Sequence, residues 1–134
     1  MKRLLAISLM ITLASCASTM NSHRMKAAQR KMLETRKLQQ ASQWDEALSM
    51  AERMHSSVSK SINSAPKQKS SSGGLVDLQP LLTGWEVGPF AELKSSLQKK
   101  DASRSSAAFA SLRQQCVNCH TVLGKSQIQV AGLP

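Results

Sequence analysis

Tyrosine is absent from this chain, and two tryptophans and two phenylalanines are its whole aromatic supply in 134 residues. Alanine, serine, leucine, glutamine, lysine and methionine fill the places that β-branched and aromatic side chains would take in a sheet protein, so the composition points to an all-α chain. The length allows one domain with one core. Acids are scarce too, eight against eighteen Lys and Arg. The bases are dispersed with no aromatics among them for base stacking, which speaks against nucleic acid as a partner. The sequence offers no carboxylate pair, no Ser/His/Asp set and no phosphate-cradling loop, so no enzymatic activity is expected.

The apolar stretch Leu4 to Leu13 is well short of the roughly 20 residues a membrane-spanning helix needs. Preceded by Met1-Lys2-Arg3 and followed by Ala14-Ser15, it has the form of an export signal. Leu13-Ala14-Ser15-Cys16 resembles the lipobox of bacterial lipoproteins. That resemblance implies cleavage of a signal peptide over residues 1–15 and lipidation of Cys16, hence a bacterial periplasmic protein held to a membrane. Ala17-Ser18, in place of an aspartate after the cysteine, points to the outer rather than the inner membrane. An ordinary signal cut near Ala17 is the alternative. Losing Lys2 and Arg3 lowers the formal charge from +10 to +8, which suits an anionic membrane face or an acidic protein partner.

Residues 16–22 are expected as a tether and 23–125 as the folded domain. A first helix is expected over 23–41, with Met25, Ala28, Met32 and Leu38 on its inner side. A second begins at Trp44 and carries Ala47, Leu48, Ala51, Met54, Val58 and Ile62, with Asp45 and Glu46 favouring the positive end of the helix dipole. Residues 64–74, rich in Ser, Gly and Lys, are expected as a flexible connection, and 75–88 as ordered loop with one helical turn. Pro89 opens a short third helix with Phe90, Leu93 and Leu97. Asp101 caps a fourth, which Gly124 ends, and 126–134 is expected as a tail. Four amphipathic helices with short connections predict an antiparallel four-helix bundle, in which the end of the last helix lies level with the start of the first.

On the fourth helix Phe109, Leu112, Cys116, Cys119 and Leu123 recur at steps of three and four. Cys116-Val117-Asn118-Cys119-His120 has the spacing for covalent attachment of haem c, each thiol adding to one vinyl group and the adjacent imidazole serving as the proximal iron ligand. A closed zinc site would need about four ligands, and only His23, His55 and Cys16 remain to complete one. A redox-active CxxC usually opens a helix after a strand, whereas this one comes late in a helix. A plain disulfide stays open as a reading. With lipid on Cys16 and thioethers on Cys116 and Cys119, the odd cysteine count leaves no free thiol.

Four helices with a single CxxCH near the C-terminus resemble the class II c-type cytochromes, the cytochrome c prime family. The resemblance implies one haem c held at Cys116, Cys119 and His120 near the end of the last helix, with its other face toward the first helix. Low-spin members place a first-helix methionine on the iron. Met25 and Met32 are seven residues apart and share a face, and with haem extending inward from His120 the expected ligand is Met32, with Met25 second. Ala28 stands four residues before Met32, where the family often has arginine, so Arg24 or Arg30 is expected at the haem propionates. His55 is expected at the core boundary rather than on iron. The expected function is transfer of single electrons between redox partners, with an acidic partner steered by lysines. The alternatives are a five-coordinate haem protein binding NO or CO and, more remotely, a non-haem structural lipoprotein. Members of the family commonly form homodimers through their first two helices.

Overall fold

The computed structural model describes the backbone of residues 2–130 and the side chains of residues 19–130. Helix α1 runs over Lys2–Gln40 and α2 over Trp44–Ser64. Between them the chain reverses in three residues, Ser42 taking a positive φ of 58° while the Gln43 N–H donates to the Leu38 carbonyl at 2.8 Å. The residues α2 buries are mostly small, Ala47, Ala51, Ser57 and Ser61 beside Met54 and Ile62, so α1 can approach closely. The two helices run antiparallel: Ser64 Oγ donates to Asn21 Oδ1 at 2.7 Å and, some two turns further along, Lys31 Nζ donates to Ser57 Oγ at 2.7 Å. Helix α1 continues unbroken through 16–22, where a tether was expected, because Cys16-Ala17-Ser18-Thr19-Met20-Asn21-Ser22 has no glycine or proline to stop it. Cys16, the expected lipidation site, lies outside the residues whose side chains are described.

The segment expected as a flexible connection instead folds as a hairpin. Strand β1, Lys67–Lys69, pairs antiparallel with β2, Leu75–Asp77, with Gln68 opposite Val76 and Gly73 in the loop at φ +89°. Three residues a side are too few for a period-two pattern to stand out in the sequence. Helix α3, Gln79–Trp85, then occupies much of the stretch read as loop, started by an Asp77 carboxylate that accepts from the Gln79 N–H at 2.9 Å. A π-type turn, Glu86–Phe90, follows. Pro89 has no N–H to give the helical ladder and Gly88 leaves helical geometry (φ −98°, ψ −107°), so the chain bends there before α4, Ala91–Gln98.

Helix α5, Ala102–Val122, is capped as expected, the Asp101 carboxylate accepting from the Arg104 N–H at 2.9 Å. Arg36 donates to Ser106 Oγ at 2.8 Å and Gln39 Nε2 to the Ala102 carbonyl at 3.5 Å, so the end of α1 lies against the start of α5 and these helices also run in opposite directions. Phe109, Met54, Leu93, Leu97 and Leu112 form the centre of the core. Thr35, Ser96 and Ser105 are buried among them and turn their hydroxyls onto the carbonyls of Lys31, Leu93 and Ala102, at 2.7, 2.9 and 3.1 Å, which satisfies them without a partner helix.

The chain after α5 is not a loose tail as far as it is described. The Ile128 N–H donates to the Lys125 carbonyl at 2.9 Å, and the segment folds back over the seam between α1 and α5. Gln29 Nε2 reaches the Gln129 carbonyl at 3.5 Å, Arg113 reaches that of Val130 at 3.2 Å, and Val130 enters the core. Its apolar side chain explains the return. Residues 131–134 lie outside the described residues.

Candidate functional site

The thiols of Cys116 and Cys119 stand on the inner side of the last two turns of α5, packed against the core, and both are free. Burial pushes the Cys116 thiol up to about 11, with Cys119 beside it adding to the rise and its own backbone and Arg113 opposing it. Burial raises Cys119 as well, against the pull of Lys125. Both groups are therefore neutral thiols near neutral pH, unlike the depressed thiolate of a disulfide exchanger. His120 follows on the same side, half-buried. Burial holds its pKa below the ordinary histidine value, the backbone of Ile128 opposing that shift and Lys125 reinforcing it.

Three buried side-chain nitrogens among the described residues have no hydrogen-bond partner: Arg36 Nε, Trp85 Nε1 and His120 Nδ1. An orphaned buried nitrogen is costly, on the order of 1–3 kcal/mol. A neutral imidazole with one ring nitrogen uncommitted, next to two neutral thiols on one helix face, is a donor set that fits a covalently attached haem: sulfurs for two carbon–sulfur bonds and a nitrogen lone pair for iron. Among the described residues no group of three or more His, Cys, Asp or Glu comes together as a metal ion alone would require.

The two methionines of α1 differ in height relative to this motif. Met32 is buried in the core, and Met25 is half-buried at its margin. From the contact of Arg36 with Ser106, His120 lies about 21 Å along α5, whereas Met25 lies about 16 Å and Met32 about 6 Å back along α1, at 1.5 Å per residue. Arg24, expected at a haem propionate, instead donates to Ser64 Oγ at 3.1 Å and to the Lys60 carbonyl at 3.4 Å. Arg30 is exposed.

His55 belongs to a separate cluster that sequence reasoning did not assemble. Its ring stacks on Phe90 (centroids 4.7 Å apart) and lies parallel to Trp85 (5.8 Å), while Nε2 meets Glu86 Oε1 at 2.7 Å. The only hint in the sequence was the Gly88-Pro89 break, which folds Phe90 back to within 5.0 Å of Trp85. A groove of about 570 Å³ lies between the π-type turn and α5, lined in part by Gly88, Pro89, Ser111 and Asn118. By helical geometry Ser111 and Asn118 are on the opposite side of α5 from Cys116, so this groove does not serve the motif.

The chain matches no protein-family model, no curated protein and no solved structure.

Proposed function

We propose that this chain is a c-type cytochrome of the four-helix-bundle class, lipid-anchored in the bacterial periplasm, that carries single electrons between redox partners. The observation that carries the reading is Cys116, Cys119 and His120 together: two free, neutral thiols and an imidazole with an unpartnered nitrogen on the inward face of one helix. Antiparallel packing of α1 against α2 and of α1 against α5 supports the bundle architecture.

In this reading Cys116 and Cys119 would hold the porphyrin through two thioether bonds, whose formation needs no oxidant. His120 would supply a nitrogen to the iron. Haem c supplies an iron centre that moves between ferric and ferrous states. The apolar side chains of Val117 and Leu123 next to the motif, packed against the core, would limit water there. Of the two methionines, the register of α1 against α5 favours Met25 over Met32 as a second ligand, because Met32 is about 15 Å away from the level of His120 along the helix axes. A thioether sulfur there favours the ferrous iron and raises the potential.

The deciding experiment is a haem stain of a denaturing gel, run on protein made in a host with haem-attachment machinery. A stained band at the mature mass is expected, and it disappears in Cys116→Ala/Cys119→Ala. An unstained wild-type band overturns the cytochrome reading and leaves the structural lipoprotein. The reduced visible spectrum then separates electron carrier from gas binder: sharp bands indifferent to CO for a six-coordinate His/Met iron, a broad band shifted by CO for an open position.

A further inference from the structure

Charge is divided between the two ends of the molecule. Lys2 and Arg3 precede the described side chains; nine of the other sixteen bases lie at the end where α1 enters the fold, α2 finishes and the hairpin meets the end of α5. Arg24, Lys26, Arg30 and Lys31 follow one another along α1. Lys60, Lys67, Lys69 and Lys125 stand around them on α2, the hairpin and the turn after α5, all four exposed, and Arg113 of α5, on the Val130 carbonyl next to the Gln29 contact with Gln129, is the ninth. Contacts tie these elements into one surface: Arg24 reaches the Lys60 carbonyl, and the Ser71 N–H donates to the Val122 carbonyl at 3.0 Å. A single acid, Asp77, shares this end. The seven acids elsewhere are matched by seven bases, and there Lys37, Lys94 and Arg104 pair with Glu34, Glu52 and Glu92. All the formal charge left after residues 1–15 therefore resides at one end. The crowding is felt by Lys31, whose pKa is lowered by burial first and then by Arg53, Lys60 and Arg30.

The same end exposes apolar side chains. Met20, Leu75, Val122 and Ile128 are 53, 72, 41 and 45% exposed, four of the six large apolar residues that face solvent among the described residues. Exposed apolar side chains among unpaired lysines match the boundary of an anionic bilayer, where buried apolar area and attraction to headgroups act together. An acidic protein would use the lysines but has less call for Leu75. Direction decides the matter further: α1 enters the fold from this end, so residue 16, where the mature chain begins in the proposed reading, is only about 12 Å from Arg24 along the axis.

We infer that this basic and apolar end, comprising the start of α1, the β1–β2 hairpin and the turn after α5, is a docking surface for an anionic lipid bilayer. It holds the domain upright with Cys116 and His120 toward the membrane. The inference is independent of the cofactor reading and, resting on surface charge, of lipidation at Cys16.

The test uses the mature chain with Cys16→Ser, so that no lipid masks the effect, and measures cosedimentation with vesicles of phosphatidylcholine alone or with about one-third phosphatidylglycerol at about 50 and 500 mM NaCl. Binding to the anionic vesicles is expected, with at least a tenfold loss at the higher salt and little binding to phosphatidylcholine. Lys67→Gln/Lys69→Gln/Lys125→Gln, all at exposed positions, weakens it on the order of a hundredfold. Leu75→Gln weakens it severalfold, most visibly at high salt, and Lys99→Gln/Lys100→Gln at the opposite end changes it less than twofold. Far-UV circular dichroism checks that each variant is folded. Equal binding to both vesicle types, equal losses in the two lysine variants, or no binding to anionic vesicles overturns the proposal; retention on an acidic protein without vesicle binding would assign the surface to a protein partner instead.

Discussion

The two ends of α5 are built on different principles. Its first half is stitched in place: Asp101 caps it, Arg104 pairs with Glu92 at 2.6 Å, Ser105 is buried, and Phe109 and Leu112 are fully enclosed with the Arg36 guanidinium 5.4 Å from the Phe109 ring centre. Its last turns carry two neutral thiols and an imidazole with an orphaned nitrogen, with Lys125 just beyond them and a hairpin and a returning segment closing over them. Full enclosure is concentrated in the first half, which carries no thiol or histidine, whereas the candidate site stands where the side chains are only partly buried; orphaned nitrogens occur at both ends, Arg36 Nε and His120 Nδ1. A site that leaves polar atoms unpaired must draw on rigidity elsewhere.

The strongest way to break that division is Phe109→Ala. Removing a completely enclosed ring leaves a cavity that the surrounding core closes only in part, and a loss of about 3–5 kcal/mol in urea unfolding is expected. Cys116→Ala in the cofactor-free chain, at the other end, is expected to cost less than about 2 kcal/mol, because its side chain is smaller and only partly enclosed. Comparable losses at the two ends would dissolve the contrast.

Thiol reactivity sharpens it next. With its pKa pushed up to about 11, Cys116 in the folded cofactor-free chain holds far less thiolate at pH 8 than an ordinary cysteine, and alkylation by iodoacetamide some tens of times slower than in the urea-unfolded chain is expected. Reaction as fast as in the unfolded chain would mean that the last turns are open to solvent.

Much of this organisation was legible beforehand. The 3–4 spacing of Phe109, Leu112, Cys116 and Cys119 placed the thiols on the inward face, and Asp101 announced its helix, because capping and amphipathicity are local signals. What was not legible depended on long-range contacts. The β1–β2 hairpin hides in a polar stretch whose strands are three residues each, the return of Val130 into the core depends on a gap that only the folded helices create, and the stack of His55 on Phe90 needs the bend at Gly88-Pro89. The expectation of Met32 rested on where the two helices end and on haem extending inward from His120; the relative height of α1 and α5, fixed by Arg36 and Ser106, is not visible in the sequence, and it is the reason Met25 is proposed instead. That difference is testable in protein that carries haem. Met25→Leu is expected to replace the sharp reduced bands with a broad CO-sensitive one, while Met32→Leu leaves the spectrum unchanged and costs less than about 1.5 kcal/mol as a near-isosteric core exchange.

The smallest effects lie at the two caps of α5. Asp101→Ala removes one side-chain acceptor from an N-terminal N–H and is expected to cost about 1 kcal/mol throughout the helix. At the other end Gly124 sits at φ +67°, where a side chain is strained, and an added Cβ would come within 3.3 Å of Ser71 in the hairpin loop. Gly124→Ala should therefore cost a similar amount, about 1 kcal/mol, since alanine pays for the left-handed backbone and the hairpin has to shift. The two substitutions differ in where the loss appears. Asp101→Ala lowers the unfolding midpoint of the whole domain, whereas Gly124→Ala speeds amide exchange at Ser71, whose N–H rests on the Val122 carbonyl, with little change in the exchange of Phe109 or Leu112. If exchange instead quickens evenly along α5 in both variants, the two ends are one cooperative unit, and the separation of a rigid half from a locally yielding site fails.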